Sequence, residues 1–172
     1  MVTNRLQLSA ATLESCEAEA TGPRALAAVL RARVPDAWPP PVFEADDVER
    51  VRDHLRAHPK LADWTLYYVL QRPAVDGQLA NLIGIAGFIG PPTSDGVVEI
   101  GYAILPDYQR SGYATEAVTA LVSRAFADPD VRRIDATTYE TLLPSIRVLQ
   151  KTGFVIVAGP DSTGLIRFER SR

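Results

Sequence analysis

Three apolar runs in the middle of the chain lead into an alternation of helix and strand patterns. The runs "WTLYYVLQR", "NLIGIAGFIG" and "VVEIGYAIL" are rich in β-favouring residues and are separated by turn residues, which predicts an antiparallel meander. Helical spacing of apolar residues follows in "YATEAVTALVSRAF" and "PSIRVLQKTG", and each helix precedes a strand pattern, "VRRIDATT" and "FVIVA". The second half of the chain therefore reads as β-α-β-α-β.

Composition bounds the kind of protein. With 172 residues, 47% of them apolar, the chain can bury one sizeable core, and we predict a single domain over residues 1–172. A net charge of −3 and a pI near 5.4 disfavour nucleic-acid binding and weakly favour an amine-bearing partner. The lone cysteine, Cys16, the lack of a signal-peptide pattern and the lack of a membrane-length apolar stretch predict a cytoplasmic protein without membrane association.

The hexapeptide "QRSGYA", Gln109 to Ala114, joins the third apolar run to the following helix. In such a strand–turn–helix junction, free backbone N–H groups of the first helical turn point at an anion, and the helix dipole assists. No Gly-Lys-Ser/Thr follows and no third glycine is present, so neither a Walker loop nor a dinucleotide fingerprint is predicted. The alternative is an ordinary helix start in which Gly112 relieves a tight turn.

The segments "VVEIGYAILPDYQRSGYATEAV" and "SIRVLQKTGF" closely resemble the GNAT family of N-acetyltransferases, particularly its RimJ/RimL-type branch. The resemblance is specific over about residues 97–154, and the family's Q/R-x-x-G-x-G/A loop falls on Gln109, Gly112 and Ala114. It implies an α/β (α+β) domain of the acyl-CoA N-acyltransferase fold, with a mixed, mostly antiparallel sheet of about six or seven strands flanked by helices. The element order allows this architecture.

The resemblance also implies the donor and its site. In the family this loop cradles the pyrophosphate of acetyl-CoA, and the pantetheine arm runs beside the preceding strand. The residues that the resemblance assigns to acetyl-CoA are Ile104, Leu105, Gln109, Arg110, Ser111, Gly112, Tyr113, Ala114, Thr115 and Ser145. Backbone N–H groups near Ala103 to Leu105 are candidates to polarise the thioester carbonyl. A homodimer is also compatible with the family.

Glu99 is the candidate general base. Period-two alternation places Val98, Ile100, Tyr102 and Ile104 on one face of the strand and Glu99 on the other, among the small residues Gly101 and Ala103. An amine arrives as an ammonium ion and must lose a proton before it attacks a thioester. A solvated residue on an open sheet face is the alternative interpretation. Glutamate here is associated with the general-base role in the RimJ/RimL-type branch.

The segment "TLLPSIRVLQKTGF" supplies candidates for protonating the departing thiolate. Ser145 matches the serine of the family pattern N-x-x-S and could donate to the sulfur or to the coenzyme; a helix-capping role is the alternative. Tyr139, at the end of the preceding strand, is the competing donor. The family usually has asparagine at position 142, where its amide meets pantetheine, and this chain has Leu142.

A stiff loop with four prolines carries Trp38, which we assign to acceptor binding together with Glu99. His54 and His58 stand four residues apart without a third ligand, so no metal site is predicted.

The predicted function is acetyl transfer from acetyl-CoA to a primary amine, by direct attack in a ternary complex. The alternative is a domain that binds acetyl-CoA as a sensor without transferring the acetyl group.

Overall fold

A computed structural model describes residues 1–41, 43, 45–75 and 77–172. The strands of these residues form one sheet in the order β1-β3-β4-β5-β6-β8-β7, with the short β2 paired to β4 outside this path. Among the strands of the described residues, two pairings are parallel, β5 with β6 and β2 with β4. The strands are β1 Leu6–Ala10, β2 Ala32–Arg33, β3 Leu66–Gln71, β4 Ala80–Phe88, β5 Val97–Ile104, β6 Arg133–Tyr139, β7 Val155–Ala158 and β8 Leu165–Ser171.

Helices cover both faces of the sheet. Two cores result, which we call the α4-side core and the α1-side core. The α4-side core holds Leu121, Ile134 and Phe168, and the α1-side core holds Leu26 and Tyr68. The helices are α1 Leu13–Thr21, α2 Pro23–Leu30, α3 Ala45–Ala57, α4 Tyr113–Ala127 and α5 Leu143–Lys151, with 3₁₀ turns at Pro59–Trp64 and Pro106–Tyr108.

The predicted meander and the helix after it are confirmed. β3, β4 and β5 pair antiparallel, and α4 then crosses to the parallel strand β6. Helix α4 forms because its buried residues recur along one stripe, at Ala117, Val118, Leu121, Val122 and Ala125. The mixed α/β class is confirmed, with seven strands along the sheet path and the two-residue β2 as the eighth.

Strand β8 was not predicted from the sequence, and it changes the topology of the carboxyl-terminal part. It inserts between β6 and β7, so β7 pairs with β8 and lies at the edge of the sheet. Ile166 and Phe168 of β8 face the α4-side core, while Val155, Ile156 and Val157 of β7 are exposed. The strand pattern "FVIVA" is therefore correct as a strand over Val155–Ala158, whose apolar residues are exposed, while Phe154, just before the strand, is buried in the α4-side core.

Candidate functional site

The junction between β5 and α4 exposes unpaired backbone donors. Gly112 is the N-cap of α4 and has φ +83°, and Arg110 has φ +60°, so the loop contains two left-handed residues. No side chain caps the helix. The first intrahelical bond runs from the N–H of Glu116 to the carbonyl of Gly112 at 3.1 Å, which leaves the N–H groups of residues 113–115 without an intrahelical acceptor. This geometry suits an anion.

Two side chains hold the loop in this shape. Gln109 donates from Nε2 to the carbonyl oxygen of Ile104 at 2.9 Å, and Arg5 donates from Nη1 to the carbonyl oxygen of Ser111 at 3.0 Å. The side chain of Tyr113 is also engaged, because its hydroxyl accepts a 2.7 Å bond from Nε2 of Gln71. These contacts brace the loop and use part of the hydrogen-bonding capacity of the Gln109 and Tyr113 side chains.

The first turn of α4 also carries a carboxylate. Glu116 accepts hydrogen bonds from the Thr3 hydroxyl at 2.6 Å, from the Arg5 backbone N–H at 2.8 Å and from Nε of Arg5 at 2.8 Å. Partial burial acts to raise the pKa of Glu116, but the bonds from Thr3 and Arg5 outweigh it, and the pKa is lowered. Glu116 is therefore held as an anion next to the loop.

Strands β5 and β6 stop pairing before either strand ends. Their register runs from Val97–Arg133 to Ile100–Ala136, yet β5 continues to Ile104 and β6 to Tyr139. Beyond Ile100 and Ala136 the two strands no longer pair with each other, which leaves an opening that starts there and extends along β5 towards the anion loop. An extended ligand arm could lie in this opening and bond to the edge of β5 as a strand would.

The directions of the backbone N–H groups along β5 limit which of them can polarise the thioester carbonyl. The N–H of Leu105 donates to the carbonyl oxygen of Ile83 at 2.9 Å, so it faces β4 and is not available to a ligand. Because the two neighbours of an antiparallel strand are served by alternate residues, Tyr102 and Ile104 direct their N–H groups towards β6. Of the predicted range Ala103 to Leu105, the prediction is therefore wrong for Leu105, alternation also turns the N–H of Ala103 towards β4, and Ile104 is the remaining candidate.

Glu99 lies on the α1 side of the sheet, as the alternation predicts. Its carboxylate is half-buried and accepts a 3.3 Å hydrogen bond from the hydroxyl of Thr137 on β6. Gly101, two residues further along the same face, is exposed, and a Cβ there would meet no atom within 4 Å. The carboxylate therefore borders open space at the start of the β5–β6 opening.

Ser145 and Tyr102 meet on the opposite face. Their hydroxyl oxygens lie 2.9 Å apart, and the Tyr102 hydroxyl lies 3.2 Å from the Ser145 carbonyl oxygen. Burial raises the pKa of Tyr102 to about 12, although its bond to Ser145 partly offsets this. Ser145 lies in the first turn of α5, where no side-chain cap bond is present, so the capping alternative has no support.

Tyr139 does not join this pair. Along β6, Ile134 and Ala136 face the α4-side core, so alternation places Thr137 and Tyr139 on the face of Glu99. The Tyr139 side chain is 48% exposed. The two predicted thiolate donors, Ser145 and Tyr139, therefore lie on opposite faces of the sheet.

Comparisons with known proteins identify the family. The family model for the acetyltransferase (GNAT) domain matches residues 5–155. The chain belongs to the GNAT family. A curated relative, the uncharacterized N-acetyltransferase YjdG of Bacillus subtilis, is 36% identical over 76 residues, which are 44% of this chain and 45% of that protein. The matches cover half or less of the length of the curated relatives, between 32% and 49%.

Solved GNAT structures share the fold over nearly the whole chain. RimL, a ribosomal L7/L12 α-N-protein acetyltransferase solved in complex with coenzyme A, has a TM-score of 0.67 and 16% identity, covering 99% of this chain and 96% of that one. The microcin C7 self-immunity acetyltransferase MccE, solved with acetyl-CoA and AMP, has a TM-score of 0.67 and 12% identity, covering 99% and 94%. These likenesses confirm the predicted GNAT fold.

Trp38 lies on the Glu99 side of the GNAT sheet but is anchored away from that carboxylate. Its indole N–H donates to Glu19 at 2.8 Å, and its ring lies 6.2 Å from that of Tyr68, whose hydroxyl donates to Glu19 at 2.6 Å. Burial raises the pKa of Glu19, and the bonds from Tyr68 and Trp38 act against this. Acceptor binding by Trp38 stays a prediction, and its observed role is to fix the proline-rich loop to α1.

Leu142, which departs from the usual GNAT pattern, is the N-cap of α5 and is 44% exposed. It is not a core residue.

Within the described residues, no group of three or more His, Cys, Asp or Glu side chains could hold a metal ion. None of the helices in the same residues has the length and apolarity needed to cross a membrane. The cytoplasmic location and the homodimer stay predictions.

Two residues at this GNAT site were missed by sequence reasoning. Arg5 reaches the anion loop from 106 positions away, and no local pattern signals such a contact. Tyr102 was placed on the correct face, but its partner Ser145 comes from a helix 43 positions later. A polar hydroxyl on an otherwise apolar strand face was the available signal for Tyr102, because such a group needs a partner when it is buried.

Proposed function

We propose that this protein transfers an acetyl group from acetyl-CoA to a primary amine by direct attack in a ternary complex. The observation that carries the proposal is the opening between β5 and β6. Around it lie the residues to which we assign the chemistry: the anion loop at Gly112, Glu99 on one face of the sheet and the Tyr102–Ser145 pair on the other. Membership in the GNAT family and the coenzyme complexes of RimL and MccE support the choice of donor.

The loop and the strand edge divide the recognition of acetyl-CoA between them. The free N–H groups of Tyr113, Ala114 and Thr115 are assigned to the pyrophosphate, with the exposed side chains of Arg110 and Ser111 beside them. The pantetheine arm is assigned to the unpaired edge of β5 near Ile104 and Leu105. There the N–H of Ile104 is oriented to polarise the thioester carbonyl.

Glu99 removes the proton that blocks the amine. Its carboxylate takes a proton from the ammonium form of the acceptor, directly or through a water molecule, and the Thr137 hydroxyl orients it. The amine nitrogen then attacks the thioester carbon, so that a C–N bond forms and the C–S bond breaks. Holding both reactants in one complex supplies the orientation that a solution reaction lacks.

The departing sulfur needs only modest help. A free thiol has a pKa of about 8.5, so the thiolate is a good leaving group near neutral pH. Ser145 is the proposed donor, and Tyr102 hydrogen-bonds to it and can replace the proton that Ser145 gives up. No covalent enzyme intermediate is required.

The acceptor is a primary amine whose identity the fold does not specify, since one fold serves many substrates. Candidate acceptors are protein amino termini, free amino acids, polyamines and aminoglycosides. Trp38 is assigned to the acceptor side because it lies on the Glu99 face of the sheet.

A screen of free-thiol release tests the proposal. The protein is incubated with acetyl-CoA and each class of amine, and coenzyme A is measured with a thiol reagent, with a no-acceptor reaction as the control for hydrolysis. The proposal expects amine-dependent release with at least one class. Tight binding of acetyl-CoA without amine-dependent release from any class would overturn it and favour the sensor function.

A further inference from the structure

Arg5 brings the amino-terminal strand to the anion loop. Its Nη1 donates to the Ser111 carbonyl oxygen at 3.0 Å, and its guanidinium carbon lies 4.5 Å from the centre of the Tyr113 ring. A Cβ built on Gly112 would lie 3.4 Å from Nη2 of Arg5. The guanidinium therefore lies directly beside the residue at which the free helix N–H groups begin.

The guanidinium has donors to spare. Nε and Nη2 both contact Oε2 of Glu116 at 2.8 Å, and Nη1 contacts Ser111. A guanidinium carries five N–H donors, so these contacts leave one on each terminal nitrogen. The Arg5 side chain is 44% exposed, which leaves these donors accessible to a ligand on the loop.

Glu116 places a negative charge beside the anion loop. A carboxylate in the first turn stabilises a helix, but it also repels a phosphate that binds to the same N-terminus. The side chain of Glu116 is only 17% exposed and its pKa is lowered, so it stays ionised at neutral pH. Arg5 is the cation that offsets this charge at the point where a diphosphate would bind.

Resting on the proposed function, we propose that Arg5 is a specificity-determining residue that makes the site select a donor with a diphosphate. It neutralises Glu116 and offers its two remaining N–H donors to the diphosphate of coenzyme A. Arg5 does not act on the thioester or on the amine. Its removal therefore changes donor affinity and leaves the chemical step intact.

The experiment measures binding of three ligands by titration calorimetry: coenzyme A, dephospho-coenzyme A, which keeps the diphosphate, and pantetheine, which has no phosphate. Arg5→Gln is expected to weaken coenzyme A and dephospho-coenzyme A to the same extent, by about tenfold, the size of one charge-assisted hydrogen bond. Binding of pantetheine at millimolar concentration is expected to be unchanged. Equal weakening of all three ligands would overturn the proposal, as would a loss confined to coenzyme A.

Three further variants separate charge from a purely structural role. Arg72→Gln is the matched control, since Arg72 also ties down the amino-terminal segment, through the carbonyls of Thr3 at 3.1 Å and Asn4 at 3.3 Å. We expect it to leave coenzyme A affinity unchanged. Arg5→Lys keeps the charge and is expected to recover most of the affinity. Glu116→Gln is expected to leave coenzyme A binding unchanged or tighter.

The variant Glu116→Gln decides whether Arg5 binds the diphosphate or only clamps the amino-terminal segment. If Arg5 serves only as a clamp for the amino-terminal segment, Arg5→Gln and Glu116→Gln weaken coenzyme A binding equally, with equal losses of melting temperature, and the proposal falls. Failure of the proposed function has a different signature. A protein that binds coenzyme A through Arg5 but acetylates no amine would refute the transfer reaction and leave the role of Arg5 standing.

Discussion

The hydroxyl groups of Tyr102 and Ser145 lie 2.9 Å apart across the interface between β5 and α5. Tyr102 is largely buried, and burial raises its pKa to about 12, so it remains protonated at any pH at which the protein would be assayed. A buried, protonated donor bonded to a serine can return the proton that the serine gives to a thiolate. The pair therefore behaves as one unit, and we expect that the effects on kcat of substituting its two members do not add.

Tyr102→Phe and Ser145→Ala are each expected to lower kcat by about tenfold, while KM for acetyl-CoA changes little. This loss is smaller than the roughly 10²-fold or more usual for a general acid, because a thiolate needs only modest help to leave. The double variant is expected to lose no more than the stronger single variant, because both act on one proton. Tyr139→Phe, on the opposite face, is the comparison and is expected to cost less. A larger loss of kcat from Tyr139→Phe would assign the donor role to Tyr139.

Gly112→Asp is expected to abolish most coenzyme A binding. At φ +83° a side chain costs roughly 1–2 kcal/mol, and the new carboxylate would itself occupy the helix N–H groups that serve the phosphates. Calorimetry should show a loss of affinity of at least about tenfold.

Gly77→Asp is the matched control for this change, because Gly77 has φ +85° and open space around a Cβ. It carries the same backbone strain at a turn between β3 and β4. Unchanged coenzyme A affinity in a folded Gly112→Asp protein would show that the loop is not the phosphate site.

Leu142→Asn is expected to tighten coenzyme A binding by about threefold to tenfold, because it restores an amide that GNAT members usually present to pantetheine. The melting temperature should change little. Leu142 is 44% exposed, and an asparagine cap gains little here because Pro144 has no N–H and the N–H of Ser145 already bonds to the carbonyl of residue 142 at 2.9 Å. Weaker binding would show that the leucine side chain itself contacts the coenzyme.

Glu116→Gln is expected to lower the melting temperature at pH 7 but not at acidic pH. The pKa of Glu116 is lower in the folded protein than the unfolded value of about 4.3, so its contribution to stability is fully present above that value. It is lost as pH falls through the folded pKa. Thermal unfolding between pH 3 and 7 should show a difference in melting temperature between the two proteins that shrinks on acidification. A constant difference would show that the stabilisation does not come from the ionised form of Glu116.

Local sequence patterns were sufficient for the elements that build the site. Strict alternation along β5 placed Glu99 and Tyr102 on opposite faces, and the glycine at position 112 marked the start of α4 one residue later. Both features depend on neighbours in sequence. The loop, the strand before it and the helix after it could therefore be predicted without tertiary information.

The remainder depended on contacts between distant segments. Arg5 meets Glu116 across 111 positions, and β8 takes its place between β6 and β7 only through tertiary pairing. The apolar residues Ile166 and Phe168 of β8 do alternate with charged ones, so a strand signal was present in "LIRFERS". Its position in the sheet could not be inferred, since a strand pattern does not specify its partner.

The proposed transfer reaction depends on Glu99 as the group that removes the amine proton. The most direct measurement is the rate of amine-dependent thiol release by Glu99→Gln, made alongside its affinity for coenzyme A. Asp135→Asn is the matched control, since Asp135 pairs with Glu99 across β5 and β6 on the same face but is bound to Arg133 at 2.8 Å. For Glu99→Gln we predict a rate lower by about 10²-fold with coenzyme A affinity unchanged, and for Asp135→Asn a near-normal rate. A Glu99→Gln protein that releases thiol at the original rate, or that loses rate and coenzyme A affinity together, would contradict the account.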